Sequence, residues 1–301
     1  MLNIKKYAAI DIGSNAVRLL IANIIEQDSK PVRFKKNSLV RVPVRLGADV
    51  FVKGEISEHN QNRLLDTMKA FNLLIKAHGV ERYKACATSA MREATNGNFV
   101  KELVLNQCDI NIEIIDGEEE AAIIAATDLS SYIDENKTYL YVDVGGGSTE
   151  FSIIHNGEKI KSRSFKIGTV RLLNDIVTRD IWCELENWIK SNTSTYEKIE
   201  LIGSGGNINK IFKISGKNMG KPLTYFYLSN YYHNLQQYSY EERIVELNLN
   251  QDRADVIIPA TRIYLSAMKW SGAKDIYVPK IGLSDGIIKS IYYETVSSIS
   301  V

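Results

Sequence analysis

DVGGGSTEFS, residues 143–152, opens like DIGSNAVRLL, residues 11–20. In each, an acid closes an apolar run (YLYV before Asp143, YAAI before Asp11), small residues follow, and a second apolar run leaves. That pattern is a buried strand, a tight turn and a second buried strand. Aligning Asp11 with Asp143 sets Gly13 on Gly145, Ser14 on Gly146, Asn15 on Gly147 and Arg18 on Glu150. Glycine admits positive φ and lets the backbone approach a ligand closely. Successive backbone N–H groups in such a turn form an anion-binding concavity. Two such hairpins indicate a fold of two related halves, gripping a phosphate chain from both sides of a cleft. Bare carboxylates repel phosphate, so Asp11 and Asp143 call for a metal ion beside it, and magnesium held by carboxylates and water meets that need.

Working outward, the chain has 301 residues, which suits two domains. Lys+Arg number 37 and Asp+Glu 36, so no global charge steers it toward DNA or RNA, and an anion site must be local. Cys86, Cys108 and Cys183 are odd in number and form no CxxC pair, which argues against a disulfide framework or a zinc site. The apolar run before Asp11 is too short for a signal peptide and no run reaches membrane-spanning length. The expectation is a cytoplasmic protein with no membrane partner.

Strands are expected at residues 6–12, 17–25 and 31–44, then a helix over 57–78 with Leu64, Leu65, Met68, Phe71, Leu74 and Ile75 on one face. ERYKACATS reads as a strand, MREATNGNFVKELVLN as a helical region broken near Asn96-Gly97, NIEIIDG as a strand and GEEEAAIIAATDLSSYI as a helix. The second half repeats the order: strands in TYLYVDV, TEFSIIH and KIKSRSFKI, helices near 168–177 and 180–190, and the strand EKIELIGSG. A helix after Gly205-Gly206, a helical stretch over 228–270, the strand KDIYVPK and a helix after Leu283 follow. The domains are expected at 1–127 and 128–301, the final helix packing back on the first. The aromatics of 223–240 read as packing rather than a binding patch.

The segments AIDIGSNAVRLLI (9–21), ATSAMREATNG (87–97), IEIIDGEEEA (112–121), YVDVGGGSTEF (141–151), FKIGTVRL (165–172) and LIGSGGNI (201–208) resemble, in order, the exopolyphosphatase / guanosine pentaphosphate phosphohydrolase (Ppx/GppA) family of the actin-like ATPase superfamily. DIGSNxxRL together with DVGGGSTE is specific; IGSGG alone is weak. The resemblance implies an α/β fold of two actin-like (ribonuclease H-like) domains, each a mixed sheet flanked by helices, with an interdomain cleft. It implies hydrolysis of terminal phosphoanhydride bonds of inorganic polyphosphate, or of guanosine pentaphosphate by the same site, with Mg2+ or Mn2+, K+ as an activator, and a homodimer. The further His-Asp hydrolase domain of longer members has no counterpart in the four histidines here.

Phosphoanhydride hydrolysis needs charge neutralisation, an in-line water and a group that orients it. By resemblance the water-activating base is Glu120, with Glu119 as the alternative, while Glu118 complements the helix dipole. Asp143, Glu150 and Asp11 are the implied metal carboxylates, Glu150 also assisting the water. Arg92, after a strand end, is the implied phosphate-holding arginine. Arg18 either reaches the cleft or snorkels to the sheet edge, and Arg171 is read as a brace of the interdomain region. Ser14, Asn15, Ser148, Thr149 and the backbone of Gly145, Gly146 and Gly147 are the expected phosphate donors. Rival readings are a sugar or acid kinase of the superfamily, needing ATP, and a sensor that binds without turnover.

Overall fold

The computed structural model describes residues 2–125, 134 and 136–299. They group into two compact units, 1–127 with 283–301, and 128–282. In the first unit β1 (Leu2–Ile12), β2 (Val17–Gln27) and β3 (Arg33–Val42) form an antiparallel meander. Helices α1 (Leu46–Lys53) and α2 (Glu58–Ala77) lead to β4 (Arg82–Ala87), which joins β1 in parallel. Then come α3 (Ser89–Glu93), α4 (Gly97–Cys108), the parallel strand β5 (Ile112–Ile114) and α5 (Gly117–Ala125).

The second unit repeats this plan. β6 (Thr138–Val144), β7 (Thr149–His155) and β8 (Glu158–Phe165) are antiparallel. Helices α6 (Thr169–Leu173) and α7 (Arg179–Thr193) lead to β9 (Ile199–Ser204), parallel to β6. After α8 (Gly206–Ile214) come β10 (Leu223–Thr224), α9 (Tyr225–Gln237), α10 (Tyr240–Val245), α11 (Gln251–Ala254), α12 (Ile257–Ser271) and β11 (Asp275–Tyr277). The sheet orders are β3-β2-β1-β4-β5 and, from the matching edge, β8-β7-β6-β9-β11-β10. The second differs by one added edge strand. Two mixed sheets flanked by helices bear out the expected fold class, and the duplicated order accounts for the duplicated hairpin.

Alternation sets what each face carries. Ala8, Ile10 and Ile12 of β1 enter the core that α2 and α4 cover, so Tyr7, Ala9 and Asp11 lie on the other face. Leu140, Val142 and Val144 of β6 likewise enter the second core, leaving Tyr139, Tyr141 and Asp143 opposite. The last helix, α13 (Leu283–Ile299), belongs to the first unit and packs on β1, β4 and α5. Gly286 permits that contact: a Cβ there would stand 2.2 Å from the Ile123 carbonyl oxygen.

Two expectations need correction. The stretch 228–270 is not one helical run but belongs to α9, α10, α11 and α12. The breaks have local causes: Ser239 and Glu242 form a capping box that starts α10, and Asn248 takes φ of 49°. Helix α1 was not anticipated at all. Its N-cap Arg45 makes no side-chain cap bond, so the usual start signal is missing. Of the helix expected over GEEEAAIIAATDLSSYI, the part beyond Ala125 lies outside the described residues. Among the described residues no helix is long and apolar enough to cross a membrane.

Two outcomes follow from this packing. Gly286→Ala should lower unfolding free energy by about 1–3 kcal/mol through overpacking, read as an earlier urea midpoint at unchanged slope. Cys86 and Cys108 are buried and Cys183 exposed, and burial pushes the Cys86 thiol up to about 12. A thiol reagent near pH 8 should therefore modify one thiol rapidly in the folded protein and all three after denaturation.

Candidate functional site

The two hairpin loops are built alike. Each closes by the same bond, Gly13 N–H to the Ala16 carbonyl at 3.2 Å and Gly145 N–H to the Ser148 carbonyl at 3.0 Å. In each, the segment after the third strand binds the loop's carbonyls. In the first unit Gly47 N–H donates to the Ser14 carbonyl at 2.7 Å and Arg45 N–H to that of Asn15 at 3.0 Å. In the second unit Thr169 N–H donates to the Gly145 carbonyl at 3.0 Å and Val170 N–H to that of Gly146 at 2.9 Å. The Arg171 Nε–H completes the set on the Gly147 carbonyl at 2.7 Å. This segment reaches the loop because Gly168 has no side chain; a Cβ there would stand 2.3 Å from the Gly146 oxygen.

A peptide points its N–H and C=O in opposite directions. With three consecutive carbonyls held from one side, the loop amides are presented to the other. Among the described residues no acceptor pairs with the amides of Gly146 and Gly147. That is the donor array of an anion nest. Arg171 thus acts from behind its own loop, as a brace within the second unit.

The bases of the hairpins differ in charge. Asp11 faces Arg18 across β1 and β2, and Arg18 Nη1 donates to Asp11 Oδ2 at 2.7 Å. At the equivalent register Asp143 faces Glu150 across β6 and β7. Like charges directly opposed on a sheet are destabilising, and such a pair could hold a cation. Two carboxylates suit magnesium, which keeps several waters and binds substrate phosphates as further ligands. Among the described residues no group of three or more His, Cys, Asp or Glu could hold a metal by itself. Asp11, whose carboxylate holds Arg18, is less suited to that role than Asp143.

The hydroxyls do not all stand as anticipated. Thr149 is fully buried and its hydroxyl donates to the Ile167 carbonyl, tying the loop to the following segment instead of facing a ligand. Ser148 is buried and donates to Glu150 Oε1 at 2.6 Å, and Ser164 donates to the same oxygen at 3.0 Å. Ser14 is buried, Asn15 half-buried.

The other expected residues of the first unit gather at the carboxyl ends of its parallel strands, where α/β ligand sites lie. Arg92 on α3 follows β4, and its Nη1 donates to the Ile115 carbonyl at 2.6 Å, beside the turn into α5. This bond makes Arg92 a brace on the backbone that enters α5. Asp116, which the sequence reading passed over, caps α5: its Oδ1 accepts from Glu118 N–H at 2.9 Å and Glu119 N–H at 2.8 Å. An Asp before a run of helix formers was a legible N-cap signal. It leaves Glu118 and Glu119 exposed in the first turn and Glu120 half-buried behind them.

In the second unit the β9–α8 turn passes close to Asp143. Gly205 has φ of 115°, and a Cβ there would stand 2.9 Å from the Val144 carbonyl oxygen and 3.4 Å from Asp143 Oδ1. The Tyr264 hydroxyl donates to the Ser204 carbonyl in this turn. Burial first, and then the Asp143 charge, push the Tyr264 and Tyr141 phenols well above their ordinary value, so both stay protonated. Tyr141 stands two residues before Asp143 in the quoted stretch, whereas Tyr264 carried no motif in the sequence and only the fold brings it there.

The model of the Ppx/GppA phosphatase family matches residues 28–294, most of the chain. The chain belongs to the Ppx/GppA phosphatase family. It is 32% identical over 216 residues to a bifunctional 3-dehydroquinate synthase/phosphatase of Fusobacterium nucleatum, covering 66% of this chain and 32% of that one. A putative exopolyphosphatase of Haemophilus influenzae is 23% identical over 96% of this chain and 92% of its own length. A guanosine-5′-triphosphate,3′-diphosphate pyrophosphatase of Photobacterium profundum is 24% identical over 97% of this chain and 60% of its own. The chain therefore spans about a third, nine tenths and three fifths of these relatives. The crystal structure of the Aquifex aeolicus Ppx/GppA family member superposes with a TM-score of 0.75 at 25% identity, covering 97% of this chain and 99% of that one.

The brace on the glycine loop is testable. Arg171→Met should raise KM for a phosphate-chain substrate about tenfold, the loss of roughly 1.4 kcal/mol of loop order. Circular dichroism melting should shift by only a few degrees. A KM equal to wild type would show that the loop holds its shape without Arg171.

Proposed function

We propose that this family member is a metal-dependent exopolyphosphatase, releasing orthophosphate from the end of inorganic polyphosphate. The observation that carries the reading is the second hairpin: an amide nest with its carbonyls tied back, standing over an Asp143–Glu150 pair in direct opposition. An amide nest binds anionic oxygens, and an opposed carboxylate pair holds a divalent cation. Bound there, magnesium would neutralise phosphate-oxygen charge as the anhydride breaks. In the first unit, Arg18, set by its bond to Asp11, and Arg92, set by its bond to Ile115, supply fixed positive charge for the phosphate chain. Glu120, one turn into α5 behind the Asp116 cap, accepts the proton of the attacking water. The bond that breaks joins the terminal phosphorus to its bridging oxygen. The departing chain takes that oxygen, and the water oxygen joins the released phosphate.

The test is phosphate release from long-chain polyphosphate and, in parallel, from guanosine pentaphosphate, with and without magnesium. Wild type should release phosphate from polyphosphate in magnesium alone. Glu120→Gln should lower kcat by about 10²–10⁴-fold with KM little changed, as loss of a general base does. Release from the nucleotide alone would reassign the substrate and leave the site standing. Release from neither would overturn the hydrolase reading.

A further inference from the structure

Glu150 is 2% exposed, a carboxylate almost wholly enclosed by protein. Two hydroxyls donate to one and the same oxygen, Oε1: Ser148 at 2.6 Å and Ser164 at 3.0 Å. They reach it from different places. Ser148 lies two residues back, in the glycine loop itself. Ser164 lies on β8, directly opposite Glu150 in the β7–β8 register. Along the same edge strand Lys159, Lys161 and Arg163 are exposed, while Ser164 is half-buried on the face that Glu150 shares.

We propose that Ser164 is a positioning residue for divalent-cation binding, holding the Glu150 carboxylate in the orientation in which it serves the metal. The inference rests on the reading of Glu150 as a metal carboxylate. One hydrogen bond leaves a carboxylate free to turn about its last torsion, which is broad for Glu. A second donor on the same oxygen, from a separate strand, fixes the plane. Ligating carboxylates are characteristically hydrogen-bonded by such outer partners, and losing one weakens metal binding by about 10–100-fold. Ser148 reaches Glu150 from the glycine loop, whereas Ser164 reaches it from the neighbouring strand β8. Ser164 ties Glu150 to the sheet instead. Nothing in the sequence singles it out, since its neighbours KSRSF read as an ordinary polar edge strand.

The test uses Mn2+ as the probe, its binding to the full chain followed by electron paramagnetic resonance without substrate, so the readout does not depend on turnover. Four proteins are compared: wild type, Ser164→Ala, Ser164→Thr and Glu150→Gln. Ser164→Ala should raise the Mn2+ dissociation constant by about tenfold or more with its melting temperature near that of wild type. Ser164→Thr, which keeps the hydroxyl, should return most of the affinity. Glu150→Gln should bind weakly whatever stands at 164. If Ser164→Ala binds as wild type does while Glu150→Gln has lost affinity, Ser164 positions nothing and Glu150 stands as the ligand. If Glu150→Gln binds as wild type does, the assignment of Glu150 fails and this inference fails with it. If Ala and Thr at 164 weaken binding equally and both lower the melting temperature, the residue is structural and the proposal is overturned.

Discussion

A glycine loop is useful to an anion only if something stops it from moving, and here that something is a set of hydrogen bonds to its carbonyls. Gly145, Gly146 and Gly147 each have the carbonyl engaged by the segment Thr169–Arg171. Each such bond contributes about 0.5–1.5 kcal/mol net, comparable with the entropy that a glycine loses on being fixed. The rest of the arrangement depends on this balance. Gly168 has to be glycine for the segment to approach, Thr149 turns its hydroxyl inward to hold the same segment, and the loop amides are left for a ligand. The first unit solves the problem with fewer bonds and a less permissive backbone. Arg45 and Gly47 hold Asn15 and Ser14, and Arg45 does so at φ of 62°, a conformation that disfavours any residue with a Cβ.

The two hairpins share a scaffold but not a charge. A single register position decides it: Arg18 opposite Asp11, Glu150 opposite Asp143. The first arrangement is neutral as a pair and presents a guanidinium partly to solvent. The second concentrates negative charge beside an amide nest, a combination that makes sense with a divalent cation between carboxylate and phosphate. The duplicated scaffold therefore carries opposite charge at one equivalent register position.

Much of this was legible before any coordinates. The paired motifs fixed the expectation of duplicated mixed sheets because apolar runs around an acid-plus-glycine turn leave few alternatives. The family resemblance picked out Glu120, Asp143 and Glu150 by position. What the sequence could not supply was direction. Ser148 and Thr149 look like phosphate donors in a motif, yet their hydroxyls are claimed by Glu150 and Ile167, contacts that depend on where β8 and the following turn pass. Arg92 and Arg171 look alike as spare cations, yet both hold backbone carbonyls. Helix α1 escaped notice because its start is set by tertiary bonds to the loop and not by a capping side chain. Asp116 is the reverse case, a cap signal present in the sequence and simply outweighed by the three glutamates after it.

The place of α13 bears on how the molecule is made. The helix that packs on β1, β4 and α5 follows the whole second unit in the chain, so the second unit is an insertion within the first. During synthesis, domains fold in the order in which their residues emerge. The strands of the first sheet emerge early, but the face of β1 that α13 covers stays open until residues 283–299 have been made. The second unit, continuous from 128 to 282, has all its residues before then. The unit that begins first is thus finished second. For that interval the nascent chain carries a first sheet whose α13-facing side is not yet covered.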